Sequence, residues 1–377
     1  MDFDSVIGQS FLKDYFQKII AKERVPHTQL FVGEEGTGTL PMALAFANRL
    51  LCGEHSNCRN KVEKLIHPDL HFVFPTVTTS SIKKPDSESF LPQWREFLST
   101  NPYAGLYDWM QFLDVANKQG QIRVADAEHI IRKTAIKPFE SGYKIFIIWM
   151  VEKMNTETAN KLLKILEEPP EDTKFILIAE KTDNILPTIL SRCQVHQFNL
   201  ISIEEIKNEL IKHFGIEPAQ AVKIAHQANG NWHKALQLIS NEDTDDSFQK
   251  LFIEWVRVAF LAKSDKQAIA KLIIWSEKMA GSGRETQKHF LEFALETFRQ
   301  ALMINYQTPS LSYYDFSKNG FDLKKLAPFI HSNNIKEIYK SVASAIYHIE
   351  RNANAKLVFL ELSVNLTKLI HKKENVL

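Results

Sequence analysis

The chain has 377 residues, enough for two or three domains rather than one core. Apolar residues make up 44 % and charged residues 24 %, as in ordinary globular proteins, and Lys plus Arg (46) balances Asp plus Glu (45). That balance excludes a global basic field aimed at nucleic acid or an anionic membrane, leaving only local patches.

Asp2 and Asp4 stand where a secretion signal would carry positive charge, and no run is apolar enough to predict a membrane span. The first predicted strand, Gln29–Val32, runs into Gly33-Glu34-Glu35-Gly36-Thr37-Gly38-Thr39-Leu40 and then the apolar helix Met42–Leu51. Gly33 and Gly38 have the spacing of a phosphate-binding loop, GxxxxGK[ST], whose lysine holds the β/γ-phosphates and whose hydroxyl holds Mg²⁺. Here Thr39 takes the lysine position and Leu40 the hydroxyl position. Thr39 carries a hydroxyl one residue early and no positive charge. Gly33, Gly36, Gly38 and Thr39 therefore form a degenerate nucleotide site, and no resident cofactor is expected in it.

Cys52 and Cys58 follow, and with the distant Cys193 they make no disulfide framework. All three read as reduced thiols of a cytoplasmic protein. Further strands are predicted at Leu70–Phe74, Ile145–Val151 and Phe175–Ala179, alternating with helices as in a parallel sheet with crossover connections. Pro75–Glu88 is polar and Ser/Thr-rich and predicts a mobile surface loop. Ile145–Val151 is continuously apolar, as a strand covered on both faces would be. Trp149 and Met150 close it, with Glu152 beyond; a hydrolysing site needs a carboxylate pair at that place. The next helix carries Ala159, Leu162, Leu163 and Leu166 at helical spacing and stops at Pro169-Pro170.

Beyond residue 200 the strand signals cease. Ser202–Phe214, Pro218–Asn229 and Asn231–Ser240 predict three short helices, and the acidic stretch 241–247 predicts a linker. Helices follow at Phe248–Ala262, Lys266–Met279, Arg284–Met303, Ile335–Arg351 and Lys356–His371, with no internal repeat.

Three segments then carry a family resemblance: Leu162-Leu163-Lys164-Ile165-Leu166-Glu167-Glu168-Pro169-Pro170, Phe175–Ala179, and Ile185-Leu186-Pro187-Thr188-Ile189-Leu190-Ser191-Arg192-Cys193-Gln194. Together they resemble the clamp-loader branch of the AAA+ ATPases. Val6-Ile7-Gly8-Gln9, His27 and His67-Pro68-Asp69 add to it. The likeness is dense over residues 3–240 and thinner over 241–377, where Ile349-Glu350-Arg351-Asn352-Ala353-Asn354 is the best piece.

The resemblance implies an AAA+ α/β domain at 1–200, a helical lid at 201–242 and an all-α oligomerisation collar at 243–377. It implies that Ser191-Arg192-Cys193 is the SRC motif, whose arginine reaches a neighbouring subunit's ATP. A guanidinium suits the charge that builds on phosphate oxygens in the transition state. Cys193 reads as a small buried residue rather than a reactive thiol. His233 stands where active relatives carry a nucleotide-sensing arginine. Relatives often hold a zinc with four cysteines; Cys52 and Cys58, with His55 and His67 nearby, offer at most a Cys₂His₂ set, and a zinc-free loop is the expectation.

The implied role is a non-hydrolysing stator. Its partners would be the gamma/tau motor subunits and the clamp-opening delta subunit and, through the complex, the sliding clamp and primer-template DNA, with no membrane. The rival reading is an active AAA+ motor subunit, against which the missing lysine and carboxylates count. The clamp-opening subunit itself would lack SRC, and a stand-alone adaptor would not explain Arg192.

Overall fold

The computed structural model describes residues 1–373 except 54, 81, 116–117, 141, 241–243 and 307–319. The chain divides into two compact units, Met1–Val115 with Gly120–Ile239, and Ala116–Gln119 with Ser240–Leu377.

The first unit is built on five parallel strands: β1 (Thr28–Val32), β2 (Leu70–Val73), β3 (Lys144–Trp149), β4 (Thr173–Ala179) and β5 (Gln194–Gln197), in the order β2-β3-β4-β1-β5. Every residue of β1, β3 and β4 is buried, and each strand carries an apolar run, Leu30–Val32, Ile145–Trp149 and Phe175–Ala179. Helices α1 (Ser10–Ala21), α2 (Thr39–Cys52), α3 (Ser56–Glu63), α4 (Leu91–Thr100), α5 (Leu106–Phe112), α6 (Val124–Thr134), α7 (Thr156–Glu167) and α8 (Pro187–Leu190) complete the α/β part. One core, with Phe16, Phe31, Phe46, Trp94 and Trp109, fills one side of the sheet. The other, around Leu30, Ile148, Leu162 and Leu177, joins α6 and α7 to the opposite side. The unit is thus a parallel sheet covered by helices on both faces.

Helices α9 (Ile203–Phe214), α10 (Pro218–Ala228) and α11 (Trp232–Ser240) follow, with their own core of Ile206, Leu210, Ala221, Ala225 and Ala235. Ser202 and Glu205 close a capping box at the start of α9, and Gly215 in the left-handed region ends it.

The second unit is helical in its described residues: α12 (Thr244–Leu261), α13 (Lys266–Gly281), α14 (Arg284–Asn305), the single turn α15 (Leu323–Leu326), α16 (Ser332–Glu350) and α17 (Ala355–Ile370). Trp255 and Trp275 stack at 5.2 Å between ring centres, Phe290 lies against both, and the Trp255 indole N–H donates to Ser363 Oγ at 2.8 Å. No helix among the described residues is long and apolar enough to cross a membrane.

Two expectations change here. The predicted linker covers residues 241–243, which lie outside the described residues, but residues 244–247 belong to helix α12. Pro75–Glu88 is not a free loop, since Pro75, Thr76, Val77, Pro85 and Ser87 are buried. Thr76 bridges to Gln121, and the Ser87 N–H donates to the buried Asp126 carboxylate at 2.7 Å. Thr76 and Ser87 meet partners inside the protein instead of water, a pairing that composition does not reveal, while Thr78, Ser80, Lys83 and Lys84 stay exposed.

Candidate functional site

The phosphate-binding loop keeps its backbone. Gly33 N–H donates to Ala179 O at the end of β4, Gly36 and Gly38 have φ of +75° and +92°, and Gly38 caps α2. The loop therefore presents a helix N-terminus, the usual cradle for an anion. That cradle is filled from within. Residues 102–105 lie over it, and a Cβ on Gly38 would stand 3.2 Å from the Tyr103 ring. The Tyr103 oxygen accepts the Ile7 N–H at 2.8 Å, and burial pushes its phenol pKa up. The space left among Gly33, Glu35, Tyr103, Trp149 and Glu180 is about 20 Å³, room for about one water.

The lid closes on the same loop. The Trp232 N–H donates to Gly36 O at 3.0 Å, and a Cβ on Gly36 would fall 1.8 Å from Asn231 Oδ1. Buried His233 joins Asn101 through Nδ1 and lies 3.0 Å from Asp108 Oδ2 through Nε2. Asn101 Oδ1 already accepts the Tyr103 N–H, so its amide nitrogen faces His233 Nδ1. On the other side of the ring, the Gln237 side-chain nitrogen lies 2.9 Å from His233 Nε2. Asp108 also accepts the Gly105 N–H at 2.9 Å, and Glu35 lies within 4.8 Å of both His233 and Asp108. Lid, loop and residues 101–108 thus share one polar knot. Glu35, Asp108 and His233 have donor atoms within 4.8 Å of one another, with Asp108 Oδ2 already accepting the Gly105 N–H.

Trp149 and Met150, buried at the end of β3, line the cavity or cap the strand and supply no carboxylate. The next acid along the chain, Glu152, accepts the Glu180 N–H at 3.0 Å through Oε1. Burial, helped by the nearby Glu180 charge, raises its pKa to about 7. It is a buried acid rather than a metal ligand.

Arg192 follows α8 just before β5, the edge strand of the sheet, where a second protein can reach it. Its Nε and Nη2 donate to Glu167 Oε2 at 3.1 and 2.7 Å, and its Nη1 donates to Thr188 O at 2.9 Å and Ser191 Oγ at 3.4 Å. Cys193 is partly buried, its thiol donates to Ile189 O, and desolvation raises its pKa to about 12. Such a thiol is inert at neutral pH.

The expectation of separate thiols fails at Cys52 and Cys58, which are joined in a disulfide. Gly53, with φ of +52°, ends α2 and turns the chain back into α3, bringing the two Cα atoms to 5.3 Å. Cys52, Cys58 and His67 have donor atoms within 4.8 Å of one another, and buried His67 Nε2 makes no hydrogen bond. With the sulfurs bonded to each other and a fourth donor missing, this set does not fit a closed zinc site. His55 is exposed at the start of α3.

Comparison with known proteins decides the family. The profile described as DNA polymerase III, delta subunit, matches residues 8–202, more than half of the chain. The chain belongs to that family. The DNA polymerase III subunit delta' of Bacillus subtilis (strain 168) is 32 % identical over 239 residues, covering 62 % of this chain and 59 % of the relative. A DNA polymerase III subunit gamma of Buchnera aphidicola subsp. Schizaphis graminum (strain Sg) is 28 % identical over 247 residues, covering 61 % and 67 %. The chain thus spans about three fifths of the length of the delta' relative. A solved gamma subunit-related protein of Thermotoga maritima aligns over 94 % of this chain and 99 % of its own, at 13 % identity and TM-score 0.38.

Within this DNA polymerase III family member, the loop 33–39 and the end of β3 line one cavity, and His233 lies beside the loop's Glu35. Sequence reading missed the segment that fills the site. Asn101, Tyr103, Gly105 and Asp108 belong to no motif, and only their position against Gly38, Glu35 and His233 gives them meaning. Edge strand β5 was also missed, because Gln194-Val195-His196-Gln197 is too polar to read as a strand.

Proposed function

We propose that this chain is the delta-prime stator of a bacterial clamp loader: a subunit that turns over no ATP itself and offers Arg192 to a nucleotide on an adjoining motor subunit. The observation that carries the reading is the filled loop, about 20 Å³ where a nucleotide would have to sit, with Tyr103 over Gly38. The missing lysine, Mg²⁺ hydroxyl and carboxylate pair support it from the sequence. The partners in this reading are gamma/tau motor subunits and a delta subunit. The assembly acts on the sliding clamp and primer-template DNA in the cytoplasm. The helical second unit serves as the collar, and its exposed Ile274, Tyr339 and Leu357 suit burial against other subunits.

An arginine is the right group for this task because it stays charged and can grip two phosphate oxygens, which lysine cannot. Fingers of this kind are worth roughly 10³–10⁵ in rate at their own site. Only the adjoining site loses its finger when Arg192 is removed, so the whole complex loses less. The test is a reconstituted complex with Arg192→Ala at matched assembly. DNA- and clamp-stimulated ATP turnover and clamp loading should fall while the complex elutes unchanged. Unaltered turnover would defeat the trans-acting role, and turnover by the isolated chain would favour the motor reading.

A further inference from the structure

The geometry points to Glu167 as a built-in restraint on Arg192: it holds the guanidinium on its own chain until a neighbouring subunit's phosphate displaces it. The inference rests on the trans-acting reading of Arg192 given above.

All three guanidinium nitrogens are engaged within the chain. Nε and Nη2 share Glu167 Oε2, while Nη1 donates to Thr188 O and Ser191 Oγ. The Nε/Nη2 edge is one of the two that can grip a pair of phosphate oxygens. A carboxylate at 2.7 Å occupies that edge and neutralises the charge that a phosphoryl-transfer transition state requires. Glu167 and a phosphate cannot hold it together, because both are anions. Delivery of the arginine therefore means exchange of one anion for another.

Glu167 is also a poor choice for its helix. It is the last residue of α7, followed by the C-cap Glu168, at the end where the helix dipole repels negative charge and favours lysine or arginine. Lys164, one turn back in α7, is too far from the helix end to cancel that repulsion alone. Arg192, brought alongside by the packing of α8 against α7, supplies the compensating charge across 25 residues of sequence. The pair is also easily broken. Side-chain exposure is 29 % for Arg192 and 55 % for Glu167, and an exposed ion pair is weak and screened by salt. A polyphosphate carrying several charges outcompetes one carboxylate, so the pair holds the finger in the free chain without blocking it in the assembly.

The test is ATP turnover and clamp loading in the reconstituted complex at matched assembly, with Glu167→Gln, Arg192→Ala and the double variant. Glu167→Gln keeps the shape and removes the charge. It should raise stimulated turnover about 2- to 5-fold, the span of an exposed ion pair, with the melting temperature of the chain unchanged. Glu167→Asp, charged but too short to reach, should behave as Glu167→Gln does. The double variant should match Arg192→Ala, because releasing a finger that is absent gains nothing. If Arg192→Ala lowers turnover but Glu167→Gln lowers it or leaves it level, Glu167 orients the finger instead, and the restraint is refuted while the finger stands. If Arg192→Ala has no effect, both readings fall.

Discussion

Asn231 occupies the space that a side chain on Gly36 would need. A Cβ there would lie 1.8 Å from Asn231 Oδ1 and 3.0 Å from its backbone Cα, and Gly36 already has φ of +75°. Gly36→Ala therefore meets strain and collision together, and should destabilise the chain by about 2–4 kcal/mol in denaturant unfolding. Gly53→Ala is the control: its φ is also positive, but nothing lies within 4 Å of its Cβ position. Equal losses in the two variants would mean that the lid does not bear on Gly36.

The filled loop makes a second expectation. Mg²⁺-ATP at about 1 mM should leave the melting temperature unmoved, because only a ligand that binds the folded state raises it. Tyr103→Ala opens space over Gly38 but restores neither lysine nor Mg²⁺ ligand, so it should admit ATP weakly and still give no turnover. Tight ATP binding by the unaltered chain would show that residues 102–105 move aside readily.

Glu152 sets a pH dependence. Its pKa in the folded chain is raised to about 7, from 4.5, chiefly by burial. The native state then binds more protons than the unfolded state between these values. This group's contribution to stability is full at low pH and is lost as pH rises through about 7. Glu152→Gln mimics the protonated acid. It should raise the melting temperature by about 2–5 °C at pH 8 and leave it level at pH 5. A gain confined to pH 5 would reverse the assignment.

Cysteine chemistry offers a fourth check. Unfolded without reductant, the chain should show one titratable thiol, Cys193, and after reduction three. Reduction would free Cys52 and Cys58 beside His67, yet three donors leave a zinc site open and weak. We expect the purified protein to carry well under one zinc per chain. Three thiols before reduction, or stoichiometric metal resistant to dialysis, would overturn this.

In the second unit, Trp255 stacks on Trp275 and donates to Ser363. Trp255→Ala should cost about 3–5 kcal/mol, as for other fully buried large side chains. A loss under about 1 kcal/mol would mean that this core repacks freely.

Periodicity carried the fold well where burial was one-sided or complete. β1, β3 and β4 are buried throughout, and α7 buries Ala159, Leu162 and Leu166, so each left an apolar signature. β5 did not, because an edge strand tolerates exposed Gln194, Val195 and Gln197. The buried stretch around Thr76 and Ser87 reads as loop because its polar groups find Gln121 and Asp126 far along the chain. At the site, residues lost from a motif are visible as gaps in a known pattern. What replaced them is not, since Tyr103 and Asp108 gain their roles only through proximity to Gly38, Gly105 and His233.

The backbone bond from Trp232 to Gly36 and the knot around His233 also govern how the first unit opens. A lid tied by a ligand opens when the ligand leaves, whereas this lid is tied by the chain itself. Opening it means breaking the knot and uncovering the core shared by Tyr103 and Trp232. Amide protons at the start of α11 should then exchange with solvent no faster than those of buried β1, as one cooperative unit.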